Sequence, residues 1–288
     1  MKILRATHLG MCFGVRDAIQ IALARAKTEP VTVLGELAHN PAVSETLRNN
    51  GVRIETDLAR VATKTVIITA HGASQRAIEA TRDAGHRVME ATCPLVQHAH
   101  RAIAMLVSAG YHPIIIGKKD HVEVRGMTGD LQTFDIVLNP EDVSLLDSHP
   151  RIGVVAQTTQ PIGRVRFLVD LIERKFPDSK VRFMDTVCKP TKERQSAAED
   201  LARRCDVVVV VGGANSNNTR ELAETCFQFC PKVHRIERAG ELRTEWFAGA
   251  ETVGLTAGTS TPDEVIQEVE NALNTFTRQK PNEHQEAA

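Results

Sequence analysis

Two stretches of the sequence carry the same pattern: RVMEATCPLV at residues 87–96 and RFMDTVCKPT at residues 182–191. Each runs from arginine through a hydrophobic residue, methionine, an acidic residue and two small residues to a cysteine. A single free cysteine is most often a small buried hydrophobic residue. A pattern that occurs twice instead predicts a repeated structural element that ends in a cysteine.

A third cysteine, in GMCFGV at residues 10–15, begins a segment of the same plan. After each of the three cysteines come a stretch with helical spacing of apolar residues, a short β-rich stretch and a polar loop. The loop residue stands at a nearly constant distance: His39 is 27 residues after Cys12, His121 is 28 after Cys93, and Ser216 is 28 after Cys188. The chain therefore repeats one α/β plan three times.

Each repeat continues through a helix into a second strand and a second polar turn. These strands and turns read TVIITAHGAS with His71, IGVVAQTTQP with Thr158, and TVGLTAGTSTP with Ser260. The first two turns lead through a helix and a strand to the next cysteine, but the third helix leads into a polar tail. The opening strand MKILRAT is free to complete the third repeat.

The alternation of strands and helices predicts an α/β fold with parallel sheets. We expect three α/β units with approximate threefold symmetry, at residues 8–92, 93–187 and 188–275. Strand 1–7 joins the third unit, and residues 276–288 form a polar tail. The alternative is one larger doubly wound sheet whose polar loops only cap helices.

Composition excludes several classes of partner. The 288 residues include 35 basic and 36 acidic ones, a formal charge of -1, which does not suit nucleic acid or an anionic membrane as the main partner. The longest apolar run, Val207–Val211, is far shorter than the roughly 20 residues of a membrane span. No secretory signal follows Lys2 and Arg5, so we expect a cytoplasmic protein.

Three of the six cysteines are candidate ligands. Cys205, Cys226 and Cys230 lie in apolar or helical stretches that predict core packing. Cys12, Cys93 and Cys188 suit an iron-sulfur cluster, a zinc ion with an open position, or a group of buried thiols. Zinc sites usually contain a closely spaced pair, whereas a four-iron cluster accommodates ligands from three separate units. Three ligands would leave one iron open to bind a substrate oxygen.

The polar turns predict binding of a small anion. GGANSNNTR at residues 212–220 combines glycines, hydroxyls and amides with the start of a helix, an arrangement that binds phosphate. TAGTSTPDE at residues 256–264 has a similar composition, and His39, His71 and His121 lie in matching turns. Glu123, two residues after His121, is the candidate general acid, and we expect it in an extended loop. The other histidines, including His100, His112, His149 and His234, are expected to be ordinary surface or loop residues.

In order along the chain, GMCFGV, AHNP, TAHGAS, EATCPLV, DHVEVRG, AQTTQP, NSNNTRELAE and TAGTSTPD resemble motifs of the 4-hydroxy-3-methylbut-2-enyl diphosphate reductases of the non-mevalonate isoprenoid pathway. The resemblance covers nearly the whole chain. It implies a trefoil fold around a central [4Fe-4S] cluster on Cys12, Cys93 and Cys188. It also implies a diphosphate pocket of His39, His71, His121, Ser216, Asn217, Asn218 and Ser260. Thr158 would position the substrate hydroxyl and a water, and Glu123 would be the proton donor.

The activity implied by this resemblance is an oxidoreductase reaction, a two-electron removal of the allylic hydroxyl that gives isopentenyl or dimethylallyl diphosphate. Reduced ferredoxin or flavodoxin would supply the electrons. Three residues depart from the family pattern, since Asn217 stands where serine is common, Val122 where proline is frequent, and Met11 where phenylalanine is usual before the cysteine. A non-enzymatic iron or oxygen sensor and a cluster-dependent hydro-lyase on a small hydroxy acid are the alternatives. The sensor needs neither Glu123 nor a row of phosphate donors, and the hydro-lyase favours arginines in its pocket over Ser, Asn and His.

Overall fold

The computed structural model describes residues 1–278. Within this range the strands form three four-stranded sheets, and neighbouring strands are parallel in every pairing. Helices connect the strands along the chain. The predicted α/β class with three parallel sheets is confirmed, and the alternative of one doubly wound sheet is wrong.

Strands and α-helices alternate along most of the chain, whereas short 3-10 helices join β3 to β4 (Leu58–Arg60) and β11 to β12 (Ala239–Glu241 and Thr244–Phe247). The first part of the chain contains β1 (Lys2–Arg5), α1 (Phe13–Ala26), β2 (Val31–Leu34), α2 (Pro41–Asn49), β3 (Arg53–Glu55), β4 (Thr65–Ile68), α3 (Gln75–Asp83) and β5 (Arg87–Glu90). The middle part contains α4 (Pro94–Ser108), β6 (His112–Ile116), α5 (Val122–Thr128), β7 (Asp135–Val137), α6 (Pro140–Ser144), β8 (Arg151–Ala156), α7 (Ile162–Lys175) and β9 (Lys180–Phe183). The last part contains α8 (Lys189–Ala202), β10 (Val207–Val211), α9 (Asn217–Phe227), β11 (Val233–Ile236), β12 (Thr252–Ala257) and α10 (Asp263–Arg278).

All three sheets share one strand order. The orders are β3-β2-β4-β5, β7-β6-β8-β9 and β11-β10-β12-β1. In the third sheet the outer position that β5 and β9 hold in the others belongs to β1, which pairs with β12 from Lys2 opposite Thr252 to Arg5 opposite Leu255. The N-terminal strand therefore completes the third sheet, as the missing strand of that repeat predicts.

The inner strands are apolar on both faces because both faces of the sheet are covered. In β10 the side chains of Val207, Val209 and Val211 belong to one core cluster, with residues of α10. Val208 and Val210 belong to another, with residues of α8 and α9. Alternate residues of a strand point to opposite faces, so an unbroken valine run is the pattern of a central parallel strand.

By contacts between residues, the chain forms two compact subdomains. The first comprises Met1–Met11, His39–Ala42 and the chain from Glu193 onward, and includes the third sheet. The second comprises Cys12–Ala38 and Val43–Lys192, and includes the other two sheets. The three predicted unit boundaries stay a prediction. Most of the predicted tail lies outside the described residues, and α10 reaches Arg278.

None of the described helices is both long enough and apolar enough to span a bilayer.

Candidate active site

Nine of the predicted site residues follow the carboxyl ends of corresponding strands. A cysteine follows each of the edge strands β1, β5 and β9. One predicted loop residue follows each of the inner strands β2, β6 and β10, and another follows each of the inner strands β4, β8 and β12. The nine residues are Cys12, Cys93, Cys188, His39, His121, Ser216, His71, Thr158 and Ser260. Parallel sheets bind ligands at this end, where loops and helix N-termini meet.

Cys12 and Cys93 are neighbours in the second subdomain. Cys12 is the N-cap residue of α1 and Cys93 that of α4. A Cβ atom added at Gly14 would overlap the Sγ of Cys93, so this thiol lies directly against the first turn of α1. Burial raises the pKa of Cys93, and negative charges on Cys12 and Glu123 raise it further. Glycine at position 14 is therefore what allows the two cysteines to approach.

Cys188 is coupled to the same group. Its backbone N–H donates to the carbonyl of Thr158 at 3.0 Å, and its Sγ lies 3.1 Å from Oγ1 of Thr191. Burial raises the pKa of Cys188 to about 11, and negative charges on Glu123 and Cys12 act in the same direction. Cys12 is thus close enough to both Cys93 and Cys188 for their thiolates to repel.

This arrangement fits a metal cluster. The three cysteines are free and only half-buried, and two of them have raised pKa values, so a positive centre is needed to hold them as thiolates. Cys205, Cys226 and Cys230 differ, because they pack in an apolar core cluster beside β10. The predicted core role of these three cysteines is confirmed.

Glu123 is a buried carboxyl in the second subdomain. Its relative exposure is 1%, and its Oε1 accepts a 2.7 Å hydrogen bond from the backbone N–H of Thr158. Burial raises the pKa of Glu123 to about 7, although hydrogen bonds from the backbone and side chain of Thr158 oppose the shift. The predicted extended loop is wrong, because Glu123 lies in the first turn of α5. Burial thus lets Glu123 keep its proton up to about pH 7, and its charge acts on both Cys93 and Cys188.

His121 contacts the backbone of this acid, and His71 contacts His121. His121 is the N-cap residue of α5, and its Nδ1 accepts a 3.2 Å hydrogen bond from the backbone N–H of Glu123. That bond requires an unprotonated Nδ1. The rings of His71 and His121 meet edge to face, with centroids 5.6 Å apart. The second subdomain therefore brings together three cysteines, one acid, two histidines and Thr158.

The first subdomain holds the other predicted ligands. Ser216 is the N-cap residue of α9 and accepts from the N–H of Thr219 at 3.3 Å. Oδ1 of Asn218 accepts from the N–H of Thr259 at 2.8 Å, whereas its buried Nδ2 has no hydrogen-bond partner in the structure. An amide donor held in this way at a helix N-terminus suits an anion.

His39 and Ser260 belong to the same subdomain. The Oγ of Ser260 donates to the carbonyl of His39 at 3.5 Å. A Cβ atom at Gly213 would overlap that same carbonyl, so the His39 segment packs against the glycine turn that precedes Ser216. The close approach explains why the turn contains glycine at this position.

Two of the three departures from the family pattern, Asn217 and Val122, have simple structural settings. Asn217 is the first residue of α9, and its Oδ1 accepts a hydrogen bond from the guanidinium of Arg220. Val122 is the first residue of α5, a position that tolerates proline because the N–H there needs no partner within the helix. Valine and proline are therefore both compatible with the start of α5 at position 122.

Two residues beside the cysteines, Gly14 and Thr191, are not predicted by the sequence motifs. Gly14 admits the Cys93 thiol, and its signal is a glycine two residues after the first cysteine, within GMCFGV. Thr191 contacts the Cys188 sulfur, and its signal is a hydroxyl three residues after that cysteine. Both signals acquire meaning only when each cysteine is known to lie at the start of a helix.

Comparisons with known proteins agree with the motifs. The model of the LytB protein family matches residues 3–274. The 4-hydroxy-3-methylbut-2-enyl diphosphate reductase of Trichlorobacter lovleyi is 38% identical over 276 residues, which are 95% of this chain and 98% of that protein. The protein of the same name from Aquifex aeolicus is 37% identical over 279 residues, which are 95% of this chain and 96% of that protein.

Solved structures give the same result. The E-1-hydroxy-2-methyl-but-2-enyl-4-diphosphate reductase of Plasmodium falciparum aligns with a TM-score of 0.89 at 28% identity, over 94% of this chain and 87% of that one. A structure of (E)-4-hydroxy-3-methyl-but-2-enyl diphosphate reductase, described as the terminal enzyme of the non-mevalonate pathway, aligns with a TM-score of 0.66 at 36% identity, with 95% and 99% covered. The resemblance that the motifs indicate is confirmed, and the chain belongs to the LytB protein family.

Proposed function

We propose that this protein reduces 4-hydroxy-3-methylbut-2-enyl diphosphate to isopentenyl and dimethylallyl diphosphate. The substrate takes up two electrons and two protons, its allylic C–O bond breaks, and the hydroxyl leaves as water. One proton goes to the leaving hydroxyl and the other to a carbon of the allylic system. The observation that carries the proposal is the buried acid Glu123, which is electrostatically coupled to Cys93 and Cys188 in a chain of this family.

Cys12, Cys93 and Cys188 are the proposed ligands of a [4Fe-4S] cluster. When bound, such a cluster supplies electrons and an open iron position that accepts an oxygen as a Lewis acid. The raised pKa values of Cys93 and Cys188 support this role, because their thiolates need a positive partner. As a thiolate Cys188 can no longer donate, so the Thr191 hydroxyl, 3.1 Å from the sulfur, would donate to it, a contact of the kind that tunes a metal site.

Glu123 is the proposed proton donor. A carboxyl group must be protonated at working pH to act as a general acid, and burial gives Glu123 this property. The N–H of Thr158 fixes one carboxyl oxygen at 2.7 Å and so sets the orientation of the acid. Thr158, whose N–H donates to Glu123, is proposed to orient the substrate hydroxyl and a water.

The diphosphate is the proposed ligand of the remaining residues. In the first subdomain, His39, Ser260 and the start of α9 (Ser216, Asn217 and Asn218) offer hydroxyls, amides and a helix N-terminus. In the second, His71 and His121 offer imidazoles. Neutral donors of this kind bind an anion without a fixed positive charge.

The electrons are proposed to come from reduced ferredoxin or flavodoxin in the cytoplasm. A reduced viologen dye replaces these carriers in the assay. Anaerobically reconstituted protein is given the hydroxylated substrate and the dye, and the two isoprenoid diphosphates are quantified. The parent protein should form both, whereas Cys12→Ser, Cys93→Ser and Cys188→Ser should form neither and Cys205→Ser should match the parent.

Failure of the reconstituted parent to form either product would exclude the reductase. A sensor would then keep its cluster spectrum without turnover, and a hydro-lyase would process a hydroxy acid without consuming electrons.

A further inference from the structure

A second group of metal-binding side chains lies at the opposite end of the second sheet. His112 begins β6, Asp135 begins β7, and His149 lies two residues before Arg151, where β8 begins. Because β6 pairs in parallel with both β7 and β8, the amino ends of these strands adjoin. The group is therefore separate from the residues at the carboxyl ends, and the proposed reductase reaction does not use it.

The three side chains are in close contact. Nε2 of His112 lies 2.7 Å from Oδ2 of Asp135. The rings of His112 and His149 stack at a centroid separation of 3.7 Å and an interplanar angle of 5°. One possible ligand atom from each residue lies within 4.8 Å of the other two. The side chains of His112 and Asp135 are 12% and 39% exposed, so the group is held in place yet reachable from solvent.

The donor set selects one class of ion. Two imidazoles and one carboxylate suit zinc and similar divalent transition metals, whereas magnesium and calcium prefer oxygen ligands alone. Bonds of about 2.1 Å in a tetrahedral site place ligand atoms roughly 3.4 Å apart. The three atoms all lie within 4.8 Å of one another, so each pair needs to approach by roughly 1.4 Å at most.

The required adjustment is local. Lone pairs of imidazole nitrogens lie in the ring plane, so two parallel stacked rings do not direct them at one point. His149 belongs to the connection between α6 and β8, not to a strand, and rotation of its ring ends the stack. The ion would also replace the proton that His112 and Asp135 share, as metal binding generally does.

We propose that His112, Asp135 and His149 form a zinc-class metal site with an open fourth position for water. A bound ion would join the starts of β6 and β7 to the segment before β8 and so stabilise the second sheet. The alternative is a purely structural His–Asp hydrogen bond with a stacked histidine, which requires no metal.

The first experiment measures zinc binding in solution. Cluster-loaded protein, whose three ligand cysteines are occupied, competes with a chromophoric chelator for Zn²⁺. His149→Gln and Asp135→Asn should each remove one bound equivalent or weaken it at least tenfold. His234→Gln is the matched control, because His234 also stacks on an aromatic ring, that of Trp246, at 4.0 Å. It should bind as much zinc as the parent.

His71 and His121 are further possible zinc ligands, so His71→Gln is measured beside the others. If the two sites are distinct, the bound zinc lost in His71→Gln should add to the bound zinc lost in His149→Gln. Circular dichroism and the cluster spectrum show whether each variant is folded. If folded His149→Gln and Asp135→Asn bind zinc as tightly as the parent, the proposal is overturned.

The second experiment locates the ion. Zinc added to the cluster-loaded protein before crystallisation should give an anomalous difference peak between His112 and His149 at the zinc edge. It should also raise the unfolding temperature of the parent but not of His149→Gln. A peak only elsewhere, or a temperature shift that persists in His149→Gln, would contradict the assignment.

Discussion

Replacement of Glu123 by glutamine separates proton delivery from binding. The amide keeps the size of the side chain and an oxygen that accepts from the N–H of Thr158, a bond of 2.7 Å in the parent. It removes the acidic proton. Loss of a general acid costs about 100-fold to 10,000-fold in rate, which at 1.36 kcal/mol per decade is roughly 2.7–5.4 kcal/mol of transition-state stabilisation. We expect turnover to fall by this factor while substrate affinity changes little.

The assay follows product formation by reconstituted protein with a reduced viologen dye, and the cluster spectrum is recorded for each variant. Glu79→Gln, at an exposed position of α3, is a matched control for the loss of one carboxylate. Glu123→Asp keeps the acid on a shorter side chain and should recover part of the rate. If Glu123→Gln turns over as fast as the parent, Glu123 is not the proton donor.

The pH dependence follows from the same carboxyl. Burial raises the pKa of Glu123 to about 7 from an ordinary value of 4.5. Only the protonated form donates, so kcat/KM should be highest below about pH 7 and fall about tenfold per pH unit above it. The free energy of unfolding should also fall as the pH rises, because the folded protein binds this proton more tightly than the unfolded chain does. The parent should lose about 3 kcal/mol of unfolding free energy between pH 4.5 and 7 through this group, and Glu123→Gln should not.

Three further predictions concern the surroundings of the cysteines and the anion site. Gly14→Ala would force a methyl group onto the Cys93 sulfur and should sharply lower the iron content per chain, whereas Gly163→Ala, with open space around it in α7, should leave it unchanged. Asn218→Asp keeps the acceptor for Thr259 but replaces the buried amide donor with a negative charge, so KM for the diphosphate substrate should rise roughly 100-fold or more with an intact cluster spectrum. Thr191→Val removes the hydroxyl 3.1 Å from the Cys188 sulfur and should make the cluster reduction potential more negative in an anaerobic titration.

The strand arrangement was accessible from sequence because its determinants are local. Val207–Val211 has no polar face, which indicates a strand covered on both sides, and the buried run confirms it. The nearly constant spacing from each cysteine to the next polar loop indicates one helix and one strand of similar length in every repeat. Because the third repeat lacks its last strand, the placement of β1 beside β12 also follows from the pattern.

The local geometry at Glu123 was not accessible. The segment from His121 to Gly126 has β-branched residues and a glycine, which disfavour a helix by propensity. In the structure, His121 caps the N-terminus, and Val124 and Met127 are buried in a core cluster. Tertiary packing and a cap thus decide the conformation, and neither is visible in a short window of sequence.

The pairing of His112 with His149 lay outside sequence reasoning for a different reason. The two histidines are 37 residues apart, and no spacing rule connects them. Only the parallel alignment of β6 with β8 brings them together. Long-range register of this kind emerges from the whole sheet and not from any segment.

The number of electrons consumed per product tests the central claim most directly. Reconstituted protein is mixed anaerobically with a known amount of reduced methyl viologen and excess 4-hydroxy-3-methylbut-2-enyl diphosphate, and the oxidised dye and both isoprenoid diphosphates are quantified. Two dye molecules should be oxidised for each isopentenyl or dimethylallyl diphosphate formed, with water as the only other product. Dye oxidation without these products, or product formation without dye oxidation, would contradict a two-electron reductive dehydroxylation by this chain.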